Sequence, residues 1–72
     1  MLRITVKTNG QITHLKLEGT LREPWVAELL AATQQMQTPA QRVALDLADV
    51  TYVDQSGIGL LRELMSRGAR LP

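Results

Sequence analysis

The stretch that most limits what this chain can become is Arg42 to Gly68, RVALDLADVTYVDQSGIGLLRELMSRG. It reads as a short apolar strand (Val43, Leu45, Leu47), a polar turn carrying Asp49, Asp54 and Ser56, and a helix opening at Ser56. The expected apolar stripe of that helix is Ile58, Leu61, Leu64 and Met65. A strand that feeds a helix through a polar turn places the turn at the strand's carboxyl end. Open α/β sheets meet their ligands and partners there. A working site in this chain is therefore expected at that turn.

The remaining residues supply strands and a helix to pack against this unit. Met1 to Lys7 alternates, with Leu2, Ile4 and Val6 on one face and Arg3, Thr5 and Lys7 on the other, the period of a strand with one wet face. Asn9-Gly10 follows, a strong hairpin signal. Ile12 to Leu17 should pair back antiparallel, with Leu15 and Leu17 buried and Ile12, His14 and Lys16 on the more exposed side. Glu23-Pro24 suggests a cap followed by Pro at the first helical position, which predicts a helix over Pro24 to Gln37. Trp25, Leu29, Ala32 and Met36 share its inner face, widened by Val26 and Leu30. After Thr38-Pro39-Ala40 comes the strand Arg42 to Leu47, then the helix Ser56 to Arg67 with Gly68 as its C-terminal cap. Ala69 to Pro72 resembles the first step of another strand.

A strand–helix–strand order implies a parallel, right-handed crossover. The expected fold is thus α/β: a mixed three-stranded sheet, an antiparallel hairpin plus a parallel crossover strand, with two helices on one face. The opposite face is expected to carry Arg3, Thr5, Lys7, Thr13, Ala44 and Asp46 and to stay in water.

Composition narrows the function. At 72 residues the chain is one small domain with a limited core. It has no cysteine, so packing or a partner must stabilise it without disulfides or thiolate metal sites. The net charge is +1 and no Lys/Arg run forms a patch for nucleic acid or an anionic membrane. Trp25 and Tyr52 are too few aromatics for a base-stacking platform. No apolar run reaches the length of a membrane span, and the first residues do not resemble a signal peptide, so a cytoplasmic domain is expected.

The segment Asp49-Val-Thr-Tyr-Val-Asp-Gln-Ser-Gly-Ile-Gly-Leu-Leu61 resembles a STAS domain, the family of bacterial anti-sigma factor antagonists and of the cytoplasmic tails of sulfate transporters. The strand end Asp46-Leu47, the motif Asp54-Gln55-Ser56-Gly57, the Gly19-x-Leu21 before the first helix and the element order all fit. The resemblance implies a non-enzymatic interaction module without a cofactor. Its partner would be an anti-sigma factor that is also a serine kinase, engaged through Asp54, Gln55, Ser56, Gly57 and Ile58. Ser56 matches the serine that such kinases phosphorylate, with release of the partner on modification. Gln55 stands where the family often has another serine. Some STAS proteins are instead accessory subunits that dock on a transporter ATPase. The family continues with a further strand and helix, so the third strand is expected to present an apolar open edge and to pair in a homodimer or a strand-exchanged assembly, unless the chain is part of a longer protein.

Other readings of the same residues are plain. Ser56 is a good helix cap, and Asp54 a good acceptor of backbone amides in a turn. Asp46 is explained by solvent or by pairing with Arg42 or Lys7, and Asp49 as a turn residue. Asp46, Asp49 and Asp54 together lack calcium-loop spacing. His14 has no second His or Cys for a transition metal. Ser56 lacks a nucleophile elbow because position 54 is Asp. Gly57-x-Gly59 lacks the third glycine and the acidic residue of a dinucleotide site and reads as close packing of the helix start against the sheet, while the amides around Ser56–Gly59 leave a small anionic ligand or nucleotide as a further possibility.

Overall fold

The computed structural model describes residues 1–71. In chain order the elements are β1 (Leu2–Asn9), β2 (Ile12–Leu21), α1 (Trp25–Met36), a 3-10 turn (Ala40–Arg42), β3 (Val43–Val53) and α2 (Gln55–Ser66). The sheet order is β1-β2-β3, with β1 antiparallel to β2 and β2 parallel to β3. This is the expected mixed three-stranded sheet.

The hairpin closes with Asn9 opposite Ile12, so the loop is Gly10-Gln11 and Asn9 stays in the strand. Gly10 takes φ 64°, the positive angle that a two-residue loop asks of its first residue. Leu15 and Leu17 are fully buried, and Thr13 is buried with them. The expectation for Thr13 is corrected: period-two alternation puts it on the core face, and Ile12, His14 and Lys16 form the wet face. Along β1, an edge strand, the core face fades from buried Leu2 through Ile4 to exposed Val6.

Both helices cover one face. Val26 and Leu29 of α1 share a core with Leu60 and Leu61 of α2 and with Leu15, Leu17, Val43 and Leu45 of the sheet. In α1, Trp25, Ala32 and Met36 are half-buried beside Leu29, while Leu30 turns outward. The helix starts one residue later than expected. Pro24 occupies the cap position, after a cis Glu23–Pro24 bond, and makes no side-chain cap. Glu23 still serves the first turn, because its Oε1 accepts the Ala27 amide at 3.3 Å.

The largest departure is β3, which runs to Val53 rather than ending at Leu47. Its pairing with β2 shifts by one residue between Lys16 and Glu18 and again between Gly19 and Thr20. Each shift inserts one extra β3 residue, a bulge. The inward positions therefore run Val43, Leu45, Leu47, Val50, Val53, spaced by two and then by three. Asp49 is thus a strand residue, not a turn residue, and its carboxylate lies 3.4 Å from Lys16 Nζ. β2 also extends past Leu17 to Leu21, with Gly19 at φ 104° where Met1 crosses it closely.

After α2, Gly68 at φ 114° closes the helix: its amide donates to Met65 O and the Ala69 amide to Leu64 O, both at 3.0 Å. This is the doubly bonded glycine stop. The chain then lies parallel beside β3, where Arg70 N donates to Val43 O and Leu45 N to Arg70 O. The expected further strand begins as a single bridge, and among the described residues the outer edge of β3 is covered at its start and carries no partner strand beyond Leu45.

Candidate functional site

Two strand-to-helix turns lie side by side at the carboxyl ends of β2 and β3. Leu21 pairs with Val53, and the Asp54 amide donates to Leu21 O at 3.1 Å. The β3–α2 connection has shrunk to one extended residue, Asp54.

Asp54 holds this corner together. Its Oδ1 accepts the Gly57 amide at 2.8 Å, and its Oδ2 accepts the Glu23 amide at 3.3 Å from the neighbouring turn. The first bond makes Asp54 the N-cap of α2, so the expectation that the helix opens at Ser56 is corrected. The helix begins at Gln55, and Ser56 is its second residue. Ser56 is not the cap and is exposed, as are Gln55 and Ile58. The hydroxyl is therefore accessible, at a helix end whose partial positive charge favours added negative charge.

Gly57 is buried because α2 begins in contact with the sheet. A methyl group there would lie 2.7 Å from Leu21 O and 2.8 Å from Val53 Cγ1. Its role is close approach, and Gly57 offers no surface to a partner. Of the five expected contact residues, Gln55, Ser56 and Ile58 face outward, Asp54 is half-buried and bonded inward, and Gly57 is enclosed. The α2 stripe changes accordingly. Gly57, Leu60, Leu61 and Leu64 face the core, whereas Ile58 and Met65, seven residues apart, lie on the exposed flank.

The anion-binding reading of the Ser56–Gly59 amides meets an occupied seat, since the Asp54 carboxylate already caps that helix end. The three aspartates are dispersed. Asp46 accepts the Ala48 amide at 3.0 Å within the first bulge, not Arg42 or Lys7. Among the described residues no cluster of His, Cys, Asp or Glu could hold a metal ion. No helix of the described residues is long and apolar enough to cross a membrane.

Sequence reasoning missed one feature, an open groove of about 970 Å³ between the C-terminal halves of α1 and α2. Leu30, Met36, Val43, Leu60 and Leu64 line it, with Gly59 at its rim, and none of residues 54–58 takes part. Leu30, expected to widen the inner face of α1, instead turns outward at this groove.

A family described as "Mlab, STAS domain" matches residues 4–71. Among solved structures, an antisigma-factor antagonist STAS domain from Rhodobacter sphaeroides superimposes with a TM-score of 0.68, covering 97% of this chain and 82% of its own at 18% identity. The anti-sigma factor antagonist SpoIIAA, in its unphosphorylated form, gives 0.64, covering 96% and 69% at 20% identity. These two likenesses concern the fold. A crystal structure of Mglu gives 0.72 at 27% identity over 93% of this chain, which spans only 18% of the Mglu chain. No curated protein matches the chain.

Proposed function

This chain belongs to the STAS domain family, and on that footing we propose that it is a non-enzymatic cytoplasmic interaction module of the anti-sigma factor antagonist type, acting in transcription regulation. The observation that carries the reading is the Asp54-capped start of α2, which leaves Gln55, Ser56 and Ile58 outward on a rigid corner. Ile58, 42% exposed, supplies an apolar contact beside the Ser56 hydroxyl.

Phosphorylation of Ser56 by a partner kinase is the proposed switch. A phosphate adds roughly −1.5 to −2 charges and three acceptor oxygens. The helix dipole offsets about 0.3–1 kcal/mol of that charge, while the Asp54 carboxylate two residues away opposes it. The cap itself does not involve Ser56, so the fold survives the modification. A surface fitted to a neutral hydroxyl is repelled. Incubation with the cognate kinase followed by mass spectrometry should find phosphate on Ser56, and the Ser56→Asp chain should lose a cytoplasmic partner that the wild type captures. Phosphate on another residue, or equal capture by both chains, refutes the switch.

Docking on a transporter ATPase uses the same corner without modification. It predicts capture of an ATPase and no phosphate on Ser56. The proposal also includes self-association through the β3 edge beyond Leu45. Light scattering that returns the 8.0 kDa mass of one chain at every concentration refutes that part.

A further inference from the structure

On the face of the sheet that carries no helix, the rows Thr5–Lys16–Asp46 and Arg3–Glu18–Asp49 mix both signs, whereas the row at the hairpin end holds no acidic residue. Lys7 pairs with His14, His14 with Ala44, and Ala44 with Arg70, so these four lie in one row across the sheet. All four point to the wet side: Val43, Leu45 and Ala69, their neighbours in sequence, are buried. Lys7, His14 and Arg70 are exposed, and exposed Arg42 precedes β3 at the same end. The next row but one, toward the α2 corner, is Arg3–Glu18–Asp49, with Lys16 drawn to Asp49. Among the described residues Lys7, Arg42 and Arg70 form no salt bridge. Lys16 and Arg3 thus have acidic neighbours on this face, and the cations of the hairpin-end row do not. Ala44, the small residue within the row, floors a shallow hollow of about 360 Å³ rimmed by Lys7, His14, Lys16 and Asp46.

We propose that this hairpin end of the open sheet face docks an acidic segment of a protein partner, at a site separate from Ser56. Adjacent strands lie about 4.8 Å apart, so the row from Lys7 to Arg70 spans roughly 14 Å. An extended peptide advances about 6.6–6.8 Å every two residues. Carboxylates four residues apart on such a peptide, about 13.2–13.6 Å, therefore match Lys7 and Arg70, with the side chain midway between them falling between His14 and Ala44. A long polyanion fits poorly. Glu18 and Asp49 lie farther along the same face and repel a duplex or a membrane plane that extends beyond the row.

The test is fluorescence anisotropy with the full chain and a short labelled peptide alternating glutamate with serine. Binding should weaken with salt and be absent for the glutamine counterpart. Lys7→Glu with Arg70→Glu should weaken it at least about tenfold, as removal of complementary charge does at interfaces. Arg62→Glu, on exposed α2, should change it less than about twofold. Circular dichroism monitors folding, and Lys7→Gln with Arg70→Gln replaces the reversed pair if that pair unfolds. Equal loss from Arg62→Glu, equal binding of the glutamine peptide, or equal competition by duplex DNA or phosphatidylserine vesicles overturns the proposal.

Discussion

Gly57→Ala isolates the packing that sets the functional corner. In an unhindered helix, replacing Gly by Ala is favourable by about 0.8–1.0 kcal/mol. Here the new methyl meets Leu21 O at 2.7 Å, Val53 Cγ1 at 2.8 Å and Leu21 Cγ at 3.0 Å. Leu21 O cannot simply retreat, because it accepts the Asp54 amide at 3.1 Å. Relief therefore requires the first turn of α2 to lift from the sheet, which also strains the Asp54–Gly57 bond. Overpacking of this kind costs about 1–3 kcal/mol, and a backbone obstacle places it toward the upper end. Net of propensity, we expect a loss of about 1–2 kcal/mol. Gly59→Ala is the matched control: it lies in the same helix, with nothing within 4 Å of the added atom. It should gain about 0.8–1.0 kcal/mol. For a domain of this size 1 kcal/mol shifts Tm by roughly 4–8 °C. Thermal unfolding followed by circular dichroism should thus move the two variants in opposite directions. A Gly57→Ala chain as stable as wild type would show that α2 does not start in contact with β2 and β3.

Asp54→Ala removes the cap of α2 and the tie to Glu23, and should cost about 2 kcal/mol in urea unfolding, at the top of the capping range, with Asp54→Asn recovering most of it. Ser56→Ala should leave stability within about 0.5 kcal/mol, because the exposed hydroxyl is not the cap; a loss near 1 kcal/mol would return the cap to Ser56. Gln37 ends α1 at φ 54°, so Gln37→Gly should raise stability by up to about 1 kcal/mol in the same assay. Leu29→Ala, at a fully buried core position, should cost about 2–5 kcal/mol and broaden or abolish the transition.

The parts of the fold that follow a simple period were legible. Alternation gave β1 and β2, Asn9-Gly10 located the hairpin, and Gly68 marked the end of α2. Period-two reading failed at β3, because two bulges move the inward residues from Leu47 to Val50 and then Val53. A three-residue interval inside a strand resembles the loss of a strand, and Asp49 was assigned to a turn as a result. The α2 stripe was displaced for a related reason. Close packing of the helix start at Gly57 is legible, but the stripe drawn from Ile58 instead of from Gly57 places Ile58 and Met65 in the core, whereas they lie on the flank. At the site itself, both Asp54 and Ser56 are good caps, and local chemistry does not rank them. What decides is Leu21 O, which bonds the Asp54 amide from a strand distant in sequence. That contact is tertiary and leaves no local signature.

One carboxylate rivets two loops that are thirty-one residues apart in sequence, Asp54 to Glu23. Strain introduced at the start of the second helix by a bulky neighbour or a bound protein therefore reaches the entrance of the first without any domain movement. The amide protons of Glu23 and Gly57 should exchange with solvent in step, and both should quicken together when that rivet is pulled.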